Sequence, residues 1–379
     1  MNLLTCYASF RYSAVGTLNS VYFSRRFVRP AIMSLKLITM DLFCRELPKV
    51  ELHAHLNGSL SRATMLELRR LHADSGLPDA TNAFFDEFQI GAGDKRNLSD
   101  CFQVFNIAHS LTNTPESLKM ATLLTLEEFQ NDGCCYIELR STPRNTPYMT
   151  CKQYVDMENP KNLTIVPRLI LSINRGNPVT DGEDTTDLAI EYHKNYPDVV
   201  VGMDLSGNPT VGKFQDFIPA LTRAKEAGLK ITLHCGEICN PNEILEMLQF
   251  KPDRIGHGVC IHPKFGGTEE IWNTFRISKI PIEICLTSNI RSKSIPCYHS
   301  HHFKEFYEAE VPISLGTDDK GVFATSLSQE YYICADIFKL NKTDVLQLAI
   351  NASNHIFAEN MREMINSKLQ LFSNEHNLL

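Results

Sequence analysis

Eight short apolar runs, separated by stretches of helical character, constrain this chain more than any other feature. They are "KVELHAHL" (49–56), "CCYIELRS" (134–141), "VPRLILSI" (166–173), "VVVGMDLS" (199–206), "LKITLHC" (229–235), "RIGHG" (254–258), "IPIEICL" (280–286) and "VPISLGT" (311–317). They are apolar on both faces, as parallel strands must be when buried between a core and a layer of helices. The connections carry helix boundaries. In "TPESLKMATLLTLEEFQNDG", Thr114 is placed to cap the N-terminus, Pro115 falls in the first turn and Gly133 lies just past the end. "FQDFIPALTRAKEAGLK" stops at Gly228 in the same way. Eight β-α units predict an α/β fold, the closed (β/α)8 TIM barrel, with residues 57–133 as a helical insertion after strand 1. An open doubly wound sheet is the competing solution, but no glycine-rich phosphate loop follows the first strand. One connection is tight. Residues 142–165 contain Pro143, Pro147 and Pro160 and leave room for roughly two helical turns, near the lower limit for a parallel crossover.

Composition narrows the class. A chain of 379 residues, 43% hydrophobic and 21% charged, is that of a soluble globular protein, and a net charge of -7 gives no basis for nucleic-acid binding. No apolar run approaches the roughly 18 to 20 residues of a membrane span. The 12 cysteines are scattered without metal-finger spacing, which points to reduced thiols and an intracellular, cytoplasmic protein. The first forty residues differ from the rest: Arg11, Arg25, Arg26, Arg29 and Lys36 occur there, and no acid precedes Asp41. That is the profile of a mitochondrial presequence; the alternative is a disordered extension upstream of the true start. Residues 1–45 are accordingly read as an N-terminal extension and residues 46–379 as a single barrel domain.

Barrel enzymes place their chemistry at the C-terminal ends of the strands. Those ends hold His53 and His55, then Glu138 to Arg144, Asn174 and Arg175, and Ser206 and Gly207. His234 to Glu237, His257, Ser288 and Asn289, and finally Asp318 and Asp319 complete the rim. His53 and His55 alone fit a satisfied pair of core histidines equally well. Joined by His234 and Asp318 on two other strands, they form a donor set suited to a borderline divalent ion, with Zn²⁺ the default. Four protein ligands leave a fifth position for a water that the ion makes acidic near neutral pH. Glu237, three residues past His234, is placed to reach substrate; its alternative is a carboxylate at a helix N-terminus. His257 sits between glycines, where its ring can orient and deprotonate that water. Asp319 points away from its neighbour Asp318 and can hold substrate, or merely cap a helix.

The motifs "VELHAHLNGS", "HCGE", "RIGHG" and "GTDDKGVFATSLSQEY" resemble, in order and spacing, those of the adenosine/AMP deaminase family over residues 46 to 360. "YIELRSTPR", "GMDLSGNPTVG", "CLTSN" and "TDDKGVFAT" resemble its adenosine deaminase-like subgroup, the N6-methyl-AMP deaminases. Asn57 and Lys320 stand where adenosine deaminases proper have other residues. The resemblance implies a metal-dependent hydrolase barrel with one Zn²⁺ per subunit on His53, His55, His234 and Asp318. Glu237 is then the proton donor to the purine ring, and His257 assists the water. Asp319 and the Gly207 backbone hold the purine, with His55 and Asn174 also lining the substrate. It also implies Asn57 and His109 near the nucleotide. "RSTPR" supplies Ser141, Thr142, Pro143 and Arg144 as a cradle for a 5′-phosphate; Arg140 fits either that cradle or a structural ion pair. The subgroup leads one to expect an acid where this chain has Asn174. The expected substrate is a small purine nucleotide and the expected state a monomer. The alternatives are adenosine itself as substrate, or a catalytically silent nucleoside-binding barrel.

Overall fold

The computed structural model describes residues 39–76, 85–96, 101–155 and 163–378. Eight strands lie in sequence order and pair in parallel: β1 (Lys49–His55), β2 (Cys134–Ser141), β3 (Val166–Asn174), β4 (Val200–Ser206), β5 (Lys230–Cys235), β6 (Arg254–His257), β7 (Ile282–Ile284) and β8 (Ile313–Leu315). Each falls within an apolar run of the sequence or one residue beyond it. The last two are shorter than the runs because Leu286 already begins a helix and Gly316 leaves the ladder.

β1 and β8 meet through a single parallel bridge, Ala54 to Asp318, beyond the end of β8. The Asp318 N–H donates to the His53 carbonyl at 2.7 Å and the His55 N–H donates to the Asp318 carbonyl at 2.9 Å. The barrel therefore closes with the loop that carries two acidic side chains. Asp318 takes a left-handed φ of 57°, a conformation that Asp tolerates better than most residues.

The insertion after β1 contains helices Arg62–Asp74, Phe105–Leu111 and Pro115–Asn131. The last begins as expected: Thr114 caps it through a reciprocal bond pair with Ser117, Pro115 is at its start, and Gly133 follows at φ 84°. Its C-terminal half is tied to the β8 loop by an ion pair of Glu128 with Lys320, and Glu128 also accepts from Ser61 and Thr64. In the tight crossover between β2 and β3, the helix in the described residues is Cys151–Val155, and β2 still pairs with β3 from Tyr136 to Ser141.

Residues 40–45, assigned above to the extension, instead belong to the packed domain. They form most of a helix, Met40–Glu46, whose Phe43 and Cys44 are buried, because an apolar pair there meets the barrel base. The presequence expectation falls on residues 1–38, outside the described residues.

Charges fill the barrel interior. Glu51, Glu138, Arg140, Asp204, Arg254 and Glu283 are all buried on strands that otherwise read as apolar. Glu283 accepts from Arg140 and from Arg254 Nε at 2.6 Å, and Arg254 Nη2 donates to Glu138 at 2.5 Å. The segment before the last helix seals this network. Arg254 Nη1 donates to the His355 carbonyl at 2.7 Å, Glu138 accepts from the Phe357 N–H at 2.5 Å, and the Phe357 ring lies 3.5 Å from the Arg254 guanidinium carbon. A buried charge without such pairing costs several kcal/mol.

Candidate active site

His53 and His55 lie two apart on β1, ring centroids 5.4 Å apart, on the side where the strand ends open into a cavity of about 520 Å³. His234 comes from the end of β5 and Asp318 from the loop after β8. The ligand atoms of these four residues lie within 4.8 Å of one another. Asp318 Oδ1 is 3.4 Å from both His53 Nε2 and His55 Nε2, and His55 Nε2 faces His234 Nε2 at 3.1 Å.

The surroundings test whether a cation suits this cluster. His53 Nδ1 meets Glu283 Oε2 at 2.7 Å, and His234 Nδ1 meets Asp204 Oδ1 at 3.0 Å. Burial alone would raise the pKa of both acids. Arg140 and Arg254, aided by His53, hold Glu283 well below the usual carboxylate range, and His234 and Arg140 lower Asp204. When Nδ1 carries the proton toward each carboxylate, the Nε2 atoms of His53 and His234 are left as lone-pair donors within the cluster. His53 Nε2 is buried and has no hydrogen-bond partner. Converging lone pairs beside a carboxylate are the donor set of a bound divalent ion.

Glu237 and His257 flank the cluster. Gly236, at φ 71°, turns the chain out of β5 so that Glu237 lines the cavity. Burial pushes the Glu237 carboxyl up to about 7; His234 pulls it down and Asp318 pushes it up. His257 ends β6 at a left-handed φ of 64°, its Nε2 lying 3.8 Å from Glu237 Oε1 and 3.9 Å from Asp318 Oδ2. Its Nδ1 is 3.2 Å from Asn289 Nδ2, and its carbonyl accepts from buried His302 at 2.8 Å. Ser288 donates to Asp318 Oδ2 at 2.6 Å.

Asp319, next to Asp318, lines the same cavity. It is buried, and its Oδ1 has no partner. Burial first, then Asp318 and Glu237, raise its pKa well above the ordinary Asp value, which favours its protonated form. Gly58 makes room for it: a Cβ there would lie 1.6 Å from Asp319 Oδ1.

Asn57, His109, Ser141, Thr142 and Arg144 line the same cavity, as do Asn174 and Gly207. Gly207, at φ 94°, has its carbon backbone against Asn174: a Cβ would lie 2.3 Å from Asn174 Oδ1. Two residues of "RSTPR" stand apart from the others. Pro143 is buried and is not among the residues that line the cavity. Arg140, left open between cradle and ion pair, borders the cavity but is wholly buried on Glu283 and donates to the Leu52 carbonyl at 2.8 Å, the ion-pair alternative.

Several participants escaped the reading of strand ends. Asp204 lies two residues before the end of β4 and Glu283 one before the end of β7, and the only sequence signal is an acid inside an apolar strand. Phe102, Phe105, Val322 and Phe323 add an apolar wall from the insertion and the β8 loop.

Comparison with known proteins agrees with this geometry. The family described as adenosine deaminase matches residues 48–370. A human protein named N6-Methyl-AMP deaminase is 43% identical over 327 residues, covering 83% of this chain and 90% of that protein. A solved structure described as the ADAL–IMP complex superposes with a TM-score of 0.79 at 38% identity, covering 89% of this chain and 100% of that one. An Arabidopsis ADAL structure complexed with GMP gives a TM-score of 0.77, again at 38% identity, over 88% of this chain and 98% of the other. The barrel, its seam at Asp318 and the residues gathered there have a common explanation: this chain belongs to the adenosine deaminase family, enzymes of hydrolytic deamination.

Proposed function

We propose that the chain hydrolyses N6-substituted adenine nucleotides, converting N6-methyl-AMP and water to IMP and methylamine. One observation carries this reading. A single cavity joins the histidine–aspartate cluster, Glu237 and His257 to a wall of hydrogen-bond donors from Asn57, Ser141 and Arg144. The names of the relatives support the same substrate.

His53, His55, His234 and Asp318 would hold Zn²⁺, which supplies Lewis acidity that lowers the pKa of a water to about 7. Neutral Asp319 and the Gly207 backbone hold the purine so that its C6 faces the cluster. His257 takes a proton from the attacking water as its oxygen adds to C6. Glu237, with a pKa of about 7, gives its proton to N1. The remaining hydroxyl proton moves to the exocyclic nitrogen, methylamine leaves, and the 6-oxo purine retains the proton on N1. The proton on His257 restores Glu237, whose Oε1 lies 3.8 Å from His257 Nε2.

The test is direct. Purified protein is incubated with N6-methyl-AMP, AMP and adenosine, and IMP and inosine are assayed. IMP from N6-methyl-AMP is expected; inosine from adenosine without IMP from N6-methyl-AMP would overturn the substrate assignment.

A further inference from the structure

Tyr154 stands on the short helix Cys151–Val155, in the crossover that seemed too tight for a full helix. It is buried and does not line the cavity, yet its hydroxyl touches three residues that do. Ser141 Oγ lies at 2.7 Å, Arg144 Nη1 donates at 3.1 Å and Asn57 Nδ2 donates at 3.4 Å.

A phenol has one proton to give and two lone pairs to receive with. Arg144 and Asn57 have only N–H groups to offer at these atoms, so they occupy the two acceptor positions. The phenolic proton must then go to Ser141. Ser141 Oγ, receiving that proton, has its own proton left to direct elsewhere, and the residue lines the cavity. Thr112 contacts the other two partners. Its hydroxyl lies 3.0 Å from Asn57 Oδ1 and 2.9 Å from the Ala108 carbonyl, the two acceptors for its one proton. Its carbonyl and hydroxyl accept from Arg144 Nη2 at 2.8 and 2.6 Å. Arg144 keeps its Nε–H and one Nη1–H, and Asn57 keeps one N–H. The wall so built offers donors from Ser141, Arg144 and Asn57 and turns their acceptors away, the pattern that suits an anion.

We propose that Tyr154 is the positioning residue that imposes this donor-only polarity and thereby selects substrates bearing a phosphate monoester over the corresponding nucleosides. The inference rests on the reading of the chain as a nucleotide deaminase and adds what enforces that selectivity. Tyr154 touches neither the metal cluster nor Glu237, so it acts on the capture of substrate and not on the reaction at C6.

The experiment measures kcat and KM for N6-methyl-AMP and for N6-methyladenosine on the zinc-loaded enzyme, its Tyr154→Phe variant and its Ser141→Ala variant, with inorganic phosphate as a competing anion. Tyr154→Phe keeps the ring and removes the hydroxyl. It should raise KM for the nucleotide about 10-fold to 100-fold, the effect of losing one charge-assisted bond. It should leave kcat and the nucleoside kcat/KM within about twofold and weaken inhibition by phosphate. Ser141→Ala should raise the nucleotide KM in the same direction without disturbing the tyrosine. A Tyr154→Phe enzyme with the parent's nucleotide preference overturns the inference alone, as does an unchanged nucleotide KM in Ser141→Ala. A parent enzyme without any preference for the nucleotide overturns the functional reading and this inference with it.

Discussion

Asp318 and His53 are joined twice: the Asp318 N–H donates to the His53 carbonyl at 2.7 Å, and the Asp318 carboxylate stands 3.4 Å from His53 Nε2. Backbone closure of the barrel and placement of the cluster's carboxylate are therefore one event. Asp318→Asn separates them, since Asn tolerates a φ of 57° as Asp does and keeps the backbone bonds. Circular dichroism should be unchanged. Metal content by atomic emission should fall well below one ion per chain, with activity lost in proportion.

Glu237→Gln keeps the shape of the side chain and removes its transferable proton. Turnover should fall by about 10²- to 10⁴-fold while metal content stays at the parent level. Equal turnover would refute its role as proton donor.

The same residue sets the sign of the pH response. Its pKa, lifted by burial to about 7, lies above the usual carboxyl value, so the acid form dominates below 7 and is lost above it. With Glu237 as donor, the alkaline limb of a kcat/KM profile should bend down from about pH 7. A rate that rises through pH 8 would contradict the assignment.

Gly58 and Asp319 occupy neighbouring space so closely that a methyl group cannot be added. Gly58→Ala places a Cβ 1.6 Å from Asp319 Oδ1 and must displace that carboxyl. The variant should bind metal normally but show a large rise in KM, together with a loss of stability of about 1–3 kcal/mol in denaturant titration.

Glu283 receives bonds from His53, Arg140, Arg254 and Thr232. Glu283→Gln leaves two buried guanidiniums without their shared charge, at a cost of about 3–5 kcal/mol. The loss of a carboxylate behind a ligand histidine should also weaken metal binding about 10- to 100-fold. Calorimetry and chelator competition measure the two effects separately.

The order of strands, the insertion and the four clustered donors were all legible from apolar runs and from what stood at their C-terminal ends. That works because a parallel strand buried on both faces leaves few positions for polar groups except its ends. The interior network was not legible for the same reason. Glu283 in "IPIEICL" and Asp204 in "VVVGMDLS" look like exceptions within apolar runs until closure brings them beside Arg140 and Arg254. Tyr154 was hidden differently. Its partners Ser141 and Arg144 share the "RSTPR" segment, but Asn57 comes from another, and no spacing within the chain relates Tyr154 to either. Pro143 entered the reading through its motif, and membership of a motif does not say which of its residues reach a cavity.

The seal formed by His355 and Phe357 gives the chain's order of synthesis a consequence. Every strand of the barrel has emerged from a ribosome before residue 357 does, yet Glu138 and Arg254 wait for backbone groups of that late segment. During translation the barrel must hold incompletely paired charges in its interior until nearly the last helix is made. A nascent chain that stops before residue 355 would contain every strand and every side chain of the cluster, and would still lack the floor on which they stand.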